Sequence, residues 1–426
     1  MRIFPSSDKK RLARLLARSV SRDPRVEREA AAIVGDVRRG GDRALRKWMA
    51  RLDGVRPPFE IAARDLRAGW SATPWEVKKA IRQAVRHIRR VAERQRPRPF
   101  TENVLPGLRI EQRVEPLDRV GCYVPGGRYP LPSTLLMTAV PAQVAGVRDI
   151  VVACPRPAPA VLCAAVEAGV TRVLRIGGAQ AVAALAYGTE SIAPVHKIVG
   201  PGNAWVAAAK ALVSADCPID FQAGPSEIVI CADRGHASWI AADLIAQAEH
   251  DPRARAILVT TRAPLAARVA EAVARQMPSD GPAAAALKQH GAIVIARTRR
   301  EGIDIVNRLA PEHLVCDRAE DVPRFKAAGT IFVGDWSAQA AGDYCTGSNH
   351  VLPTGGAARF RGGLSAADFV RVFTVQTLTQ RGLAAIAPSV VALAEAEGLK
   401  AHAESIRIRS GEPRNRKVGA RASRKD

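Results

Sequence analysis

The chain has 426 residues, of which 47% are hydrophobic and 25% charged, and a formal net charge of +23. That length is enough for two or three domains with hydrophobic cores, and the composition is that of a globular protein, not a disordered one. No apolar run reaches the roughly 18 residues a membrane span needs and the N-terminus lacks a signal-peptide core, so the expected location is cytoplasmic, with no membrane partner.

Residues 1 to about 100 read as helices. Val26, Ala30, Ile33 and Val37, then Ala44, Leu45 and Trp48, recur at helical spacing around a break at Gly40 and Gly41. Seven arginines fall between Arg82 and Arg98, on a stretch whose apolar stripe is Ile81, Val85, Ile88 and Val91. Aromatics make up only 4% of the chain, and none interleave with the basic runs. This pattern predicts a solvated basic face rather than a base-stacking surface, so no specific nucleic-acid partner is expected. The seven cysteines are scattered without a CxxC pair, which argues against a disulfide framework and a cysteine zinc knuckle.

A strand is expected around Leu108 to Val114, then a rigid loop, GCYVPGGRYPLPST, from Gly121 to Thr134. Strands and helices then alternate. Asp149 to Cys154, Arg172 to Ile176 and His196 to Val199 read as strands, and Ala158 to Ala168, Gly177 to Tyr187 and Ala204 to Val213 as helices. After a hinge at Ala223 to Glu227, a second set follows, with strands at 227–232, 256–260, 292–296 and 330–333. Helices are expected at 366–381 and 388–407, and the basic stretch past about Ile408 loses periodicity. The resulting fold class is α/β, with two Rossmann-like parallel-sheet domains and helical N- and C-terminal segments. The expected divisions are 1–122, packing with 228–363; 123–227, on the NAD side; 228–363, catalytic; 364–410, for dimerisation; and 411–426, a disordered basic tail.

Gly177 and Gly178, and Gly200 and Gly202, sit where a strand meets a helix N-terminus, a place suited to phosphate. Neither turn is GxGxxG, although Asp220 follows Gly200 at about the spacing of a ribose-binding acid. Ordinary tight turns fit these glycines equally well.

Residues 342–356, GDYCTGSNHVLPTGG, bring Asp343, Tyr344, Cys345, Asn349 and His350 together between glycines and a proline. Such a run without periodicity reads as a loop lining a site. The helix reading DLIAQAEHDP ends with Gln247 and His250 three residues apart. Together with Asp343 they supply two oxygens and one nitrogen, a set suited to zinc with open positions, although a histidine at a helix end is also a common dipole cap. In APEHL, Glu312 and His313 are adjacent and expected to point differently, each acting on a separate proton, as base and water activator. Glu397 and His402 face one site only if a helix restarts after Gly398, and a solvated face explains them as well.

These residues lie in a chain that resembles histidinol dehydrogenase from about Val26 to Arg407. The resemblance rests on GCYVPGGRYPLPST, RIGGAQAVAALAYGT, KIVGPGNAWV, IDFQAGPSE, DLIAQAEHD, APEHL, AGDYCTGSNHVLPTGGAARFRGGLS and AEGLKAH, in order and correctly spaced. It implies two NAD-dependent oxidations of L-histidinol through histidinaldehyde to L-histidine, in a zinc enzyme of histidine biosynthesis. The implied zinc ligands, one ion per subunit, are Gln247, His250, Asp343 and His402. Glu312 would activate the water that adds to the aldehyde, and His313 would take the alcohol proton. Ser226, His350 and Glu397, with the metal ligands and His313, fall at substrate-contacting positions. Tyr123, Gln180 and Asn203 match positions around NAD. The family's homodimers share their active sites, which assigns Glu397 and His402 to the neighbour's site. Two other readings stay open: a paralogous zinc and NAD enzyme for another small polar alcohol, and a nucleic-acid-binding protein on a retired enzyme fold.

Overall fold

The computed structural model describes residues 1–17, 23–126, 129–170, 172–222 and 224–410. The basic tail expected from residue 411 lies outside them. The chain divides into two units, Met1–Arg96 with Pro116–Phe369, and Pro97–Glu115 with the chain from Val370 onward.

The chain opens with β1 (Arg2–Pro5), α1 (Lys9–Leu16), α2 (Pro24–Leu52), α3 (Ala63–Ala72) and α4 (Trp75–Gln95). Strands β2 (Phe100–Leu105), β3 (Leu108–Pro116) and β4 (Arg119–Tyr123) follow, and then α5 (Pro132–Ala145), β5 (Asp149–Ala153), α6 (Pro159–Glu167), β6 (Arg172–Leu174), α7 (Gly178–Tyr187), β7 (Ile198–Val199) and α8 (Ala204–Val213). The second alternation is β8 (Glu227–Cys231), α9 (Ala237–Ala248), β9 (Arg255–Thr260), α10 (Ala263–Gln276), α11 (Gly281–Gln289), β10 (Ala292–Ile295), α12 (Arg299–Leu309), β11 (His313–Cys316) and β12 (Thr330–Val333). The chain continues with the short α13 (Gln339–Gly342), β13 (Val370–Leu378), α14 (Gln380–Ala396) and α15 (Lys400–Ser410).

In the first unit, the described strands form two parallel sheets, ordered β6-β5-β4-β7 and β1-β10-β9-β8-β11-β12. Their strands read as unbroken apolar runs because helices cover both faces. One core gathers Leu45, Met49, Val182, Leu185 and Ile198, and another Ile228, Leu244, Leu258, Val269 and Leu287.

The N-terminal segment packs on both layers: β1 joins the six-stranded sheet and α1 adds Leu12 to the core beside it, whereas α2 buries Ile33, Val37, Leu45 and Met49 against α7 and α8 of the other layer. The helix bends at Gly41, whose φ of 49° suits a residue without a side chain. Strand β4 also begins before residue 123, so the sheet boundary falls inside the expected N-terminal division. The loop predicted at 121–134 is too long at both ends, since β4 runs to Tyr123 and α5 begins at Pro132, which sits in its first turn.

In the second unit, β2 and β3 pair as an antiparallel hairpin and β13 adds to β3. Helices α14 and α15 meet through Val391, Ala394 and Ala403, with Ile406 against them. The expected helix at 366–381 is a short 3-10 turn followed by β13. The stretch VRVFTVQTL is rich in β-branched residues at alternate positions, and strand propensity prevails there.

Candidate active site

Strands β8 and β11 are parallel neighbours, with His313 opposite Ile228. Their amino ends therefore bring Ser226, Glu227, Glu312 and His313 together. Ala310 ends α12 in the left-handed region at φ 49°, turning the chain into the strand.

The Glu227 main chain holds both groups. Its N–H donates to Glu312 Oε2 at 2.8 Å, and its carbonyl lies 3.3 Å from His313 Nδ1. A carbonyl only accepts, so this bond puts the proton on Nδ1 and leaves Nε2 free to accept. Glu312 and His313 are buried, 5% and 3% exposed. Contrary to expectation, they do not point apart: Glu312 Oε2 is 3.7 Å from His313 Nδ1, because Glu312 precedes the strand and escapes its alternation. Burial pushes the Glu312 carboxyl up to about 8, against the pull of His313. For His313, burial alone would lower the pKa, but Glu312 and Asp343 outweigh it and hold the ring above its usual value.

Asp343 follows α13 and faces His313, with Oδ1 3.6 Å from Nε2, while Oδ2 lies 3.9 Å from His250 Nε2 and accepts from Gln339 at 2.9 Å. Burial would raise the Asp343 carboxyl, yet the histidines His313, His350 and His250 hold it below the usual range. His350 donates through Nδ1 to the Asp343 carbonyl at 2.8 Å, and its Nε2 is 3.4 Å from Thr134 Oγ1. Burial lowers the His350 pKa, which favours the neutral ring.

Gln247 lies in the last turn of α9 and His250 just beyond it. The Gln247 side chain is 1% exposed and its Oε1 is buried without a hydrogen-bond partner. Among the described residues, no cluster of three or more His, Cys, Asp or Glu side chains converges as a metal centre. The donors Gln247, His250 and Asp343 nevertheless fit a cation, since an orphaned buried amide oxygen is costly and a hard cation would satisfy it.

Ser226, Gln247, His250, Glu312, His313, Asp343 and His350 all line one cleft of about 1900 Å³. That exceeds the roughly 300–1,000 Å³ of a single small-molecule site, so the cleft has room for more than one occupant. The loop expected at 342–356 is such a lining loop, but not all its polar groups face the cleft. Cys345 offers its carbonyl to His87 Nδ1 at 2.6 Å, and Asn349 donates to the Met137 carbonyl at 2.7 Å. Both anchor the loop to α4 and α5.

The residues expected around NAD are dispersed. Asn203 lines the cleft and also caps α8, accepting from Val206 N–H at 3.1 Å. Gln180 is fully buried and donates to Asp53 at 2.9 Å, and Tyr123, 4% exposed, accepts from Gly178 N–H at 3.1 Å. Neither Tyr123 nor Gln180 lines the cleft. Asp220 is not a ribose acid. It is 3% exposed and pairs with Lys210 while accepting from Gly200 N–H at 2.7 Å. A side chain on Gly200 would meet the Tyr123 carbonyl, so that glycine permits a close backbone approach rather than a phosphate cradle.

Glu397 and His402 belong to the second unit and are exposed there. Gly398, at φ 78°, breaks the chain between α14 and α15, so a helix does restart after the glycine. Sequence reasoning missed Glu227 as a site residue. Its place in AGPSE, at the start of an apolar strand, was the available signal.

The histidinol dehydrogenase family model matches residues 16–410. The chain belongs to the histidinol dehydrogenase family. It is an oxidoreductase acting on histidinol in histidine biosynthesis. It is 44% identical over 416 residues to the histidinol dehydrogenase of Methanothermobacter thermautotrophicus, covering 94% of this chain and 97% of that one. To the Caulobacter vibrioides histidinol dehydrogenase it is 46% identical over 401 residues, covering 91% and 94%. The crystal structure of the Elizabethkingia anophelis histidinol dehydrogenase superposes with a TM-score of 0.91 at 30% identity, covering 96% and 98%. These matches do not favour a different small polar alcohol as substrate.

Proposed function

We propose that this chain oxidises L-histidinol to L-histidine in two NAD-dependent steps through histidinaldehyde, in the cleft at the amino ends of β8 and β11. The observation that carries this reading is the buried Glu312 and His313 pair, held by the main-chain N–H and C=O of Glu227 and opening onto Gln247, His250, Asp343 and His350. When bound, zinc would fix the substrate through its imidazole and amine, and NAD would take up the two electrons of each oxidation. Gln247, His250 and Asp343 would hold that zinc, with the partner subunit's His402 as the fourth ligand.

His313 takes the hydroxyl proton at Nε2, the nitrogen its Glu227 contact leaves free. The Asp343 carboxylate, 3.6 Å from that nitrogen, stabilises the charged ring that results. Glu312 takes a proton from the water that adds to the aldehyde. Ser226 and His350, with the partner subunit's Glu397, bind the substrate. Tyr123, Gln180 and Asn203 contact NAD; the Gln180 Oε1, buried without a hydrogen-bond partner, is the atom left to accept there. The family resemblance supports these roles.

A homodimer in the cytoplasm is part of the same proposal. The second unit exposes Phe100, Val104, Val372, Phe373, Leu393 and Ile408, and its core among the described residues is a few side chains. A three-stranded sheet with so little buried apolar area gains stability from a covering surface, and a second copy supplies one. No helix among the described residues is long and apolar enough to cross a membrane.

The test is the number of NADH formed per L-histidinol by the zinc-loaded enzyme, beside a Glu312→Gln variant. Two NADH, with the variant slowed mainly from aldehyde to acid, are expected. No NADH from protein that holds zinc and binds NAD would refute the reading.

A further inference from the structure

Glu227 does more than offer its main-chain N–H and C=O. Its side chain is 5% exposed, and Oε2 lies 3.6 Å from the Arg255 guanidinium while Oε1 accepts from Gly356 N–H at 3.4 Å. Gly355 and Gly356 are both left-handed, at φ 62° and 78°. Burial raises the Glu227 pKa, and the N–H groups of both glycines, with Arg255, favour its charged form against that burial. The carboxylate therefore docks onto the end of the 342–356 loop, the same loop that carries Asp343 and His350. Nearby, Gly224 N–H donates to Thr354 Oγ1 at 2.5 Å, a second tie between the two segments.

On its other side Arg255 is fixed as well. It stands opposite Glu227 in the β8–β9 register, donates its backbone N–H to the Ser226 carbonyl at 3.0 Å, and donates from its side chain to the Leu15 carbonyl. One buried carboxylate thus joins the start of β8, the neighbouring strand and the site loop. The N–H and C=O of the same residue orient Glu312 and His313.

We infer that Glu227 is a positioning residue for the oxidation: clamped between Arg255 and the Gly355–Gly356 turn, its carboxylate fixes the main-chain N–H and C=O that orient Glu312 and His313. This rests on the roles proposed above for Glu312 and His313. Glutamine at this position keeps one oxygen for Gly356 but turns an NH2 group toward Arg255, so the clamp loosens while the volume is kept.

The experiment uses the zinc-loaded full-length enzyme and histidinaldehyde, with Glu227→Gln, Glu312→Gln and the double variant. Glu227→Gln is expected to lower kcat for aldehyde oxidation about ten- to a hundredfold, the scale at which small misplacements act, while KM for aldehyde and NAD stays within about twofold. In the Glu312→Gln background it should cost nothing further, because two residues acting through one step are not additive. An unchanged kcat, a loss carried by KM, or a full additional loss in the double variant would overturn the inference. If Glu312→Gln itself oxidises the aldehyde at the parent rate, the role given to Glu312 fails instead. The effect of Glu227→Gln is then read on histidinol oxidation, where a kcat loss through His313 supports the inference and no loss refutes it. Should Glu227→Gln not fold, Arg255→Lys replaces it. It keeps the cation and shortens its reach, and the expected result is a smaller kcat loss with the same non-additivity; additivity with Glu312→Gln would refute the clamp.

Discussion

Glu312 is set apart from the surface carboxylates of this chain by where its charge must live. Burial pushes it up to about 8, and a base takes a proton only when ionised. Aldehyde oxidation should therefore rise with pH through about 8 and fall below it, and Glu312→Gln should be slow and lose that dependence. A pH profile of kcat across about pH 6 to 9 checks this. Gln247 makes a different prediction, because its buried Oε1 lacks a partner. Gln247→Ala should weaken zinc retention by at least about tenfold, the smallest cost of losing even an outer partner of a bound metal, as measured by metal content after dialysis against a weak chelator. Residue types alone suggested both roles, since each sits beside other polar groups in a short run. The burial that shifts Glu312 and the orphaning of Gln247 depend on what the folded chain packs around them.

Among the elements, α12 shows how a local signal ties distant parts together. Its N-cap Thr298 accepts from Glu301 N–H at 3.1 Å, and Glu301 Oε2 in turn accepts from Arg297 N–H at 2.8 Å and from Ser6 Oγ at 2.9 Å. The threonine and glutamate three apart are a capping pattern, while the bond to Ser6 anchors the chain just after β1. Arg297 holds the Glu301 carboxyl down at about 2, from an ordinary 4.5. A depressed carboxylate stabilises the fold above its unfolded pKa, and that contribution is lost as pH falls through the folded value. Glu301→Gln should cost about 1 kcal/mol at neutral pH and progressively less between about pH 4.5 and 2, as read by denaturant unfolding across that range. Most strands and helices of the alternating region were legible because their apolar runs are continuous and bounded by glycine or proline. Strand β13 was not. Strand and helix both tolerate a short apolar run, and pairing with β3 settles it.

For the whole molecule, the proposed sharing of sites between subunits makes a quantitative prediction. A Glu312→Gln subunit and a His402→Ala subunit each lack one part, and a mixed dimer rebuilds one complete site if His402 serves the neighbour. Refolding the two variants together in equal amounts should restore about a quarter of the wild-type rate of aldehyde oxidation, from one working site in half of the dimers. If each chain completed its own site, the mixture would show no such recovery. Taken alone, the sequence determined the family and the parallel α/β alternation, because apolar periodicity and long motifs are local properties of the chain. It did not determine that α2 packs on α7 and α8, that Asp220 pairs with Lys210, or that Glu227 stands beneath Glu312 and His313. The first and last of those contacts join residues far apart along the chain, and Asp220 meets Lys210 across the end of α8, ten residues away; only tertiary packing, which chooses among many equally apolar or equally charged partners, could decide them.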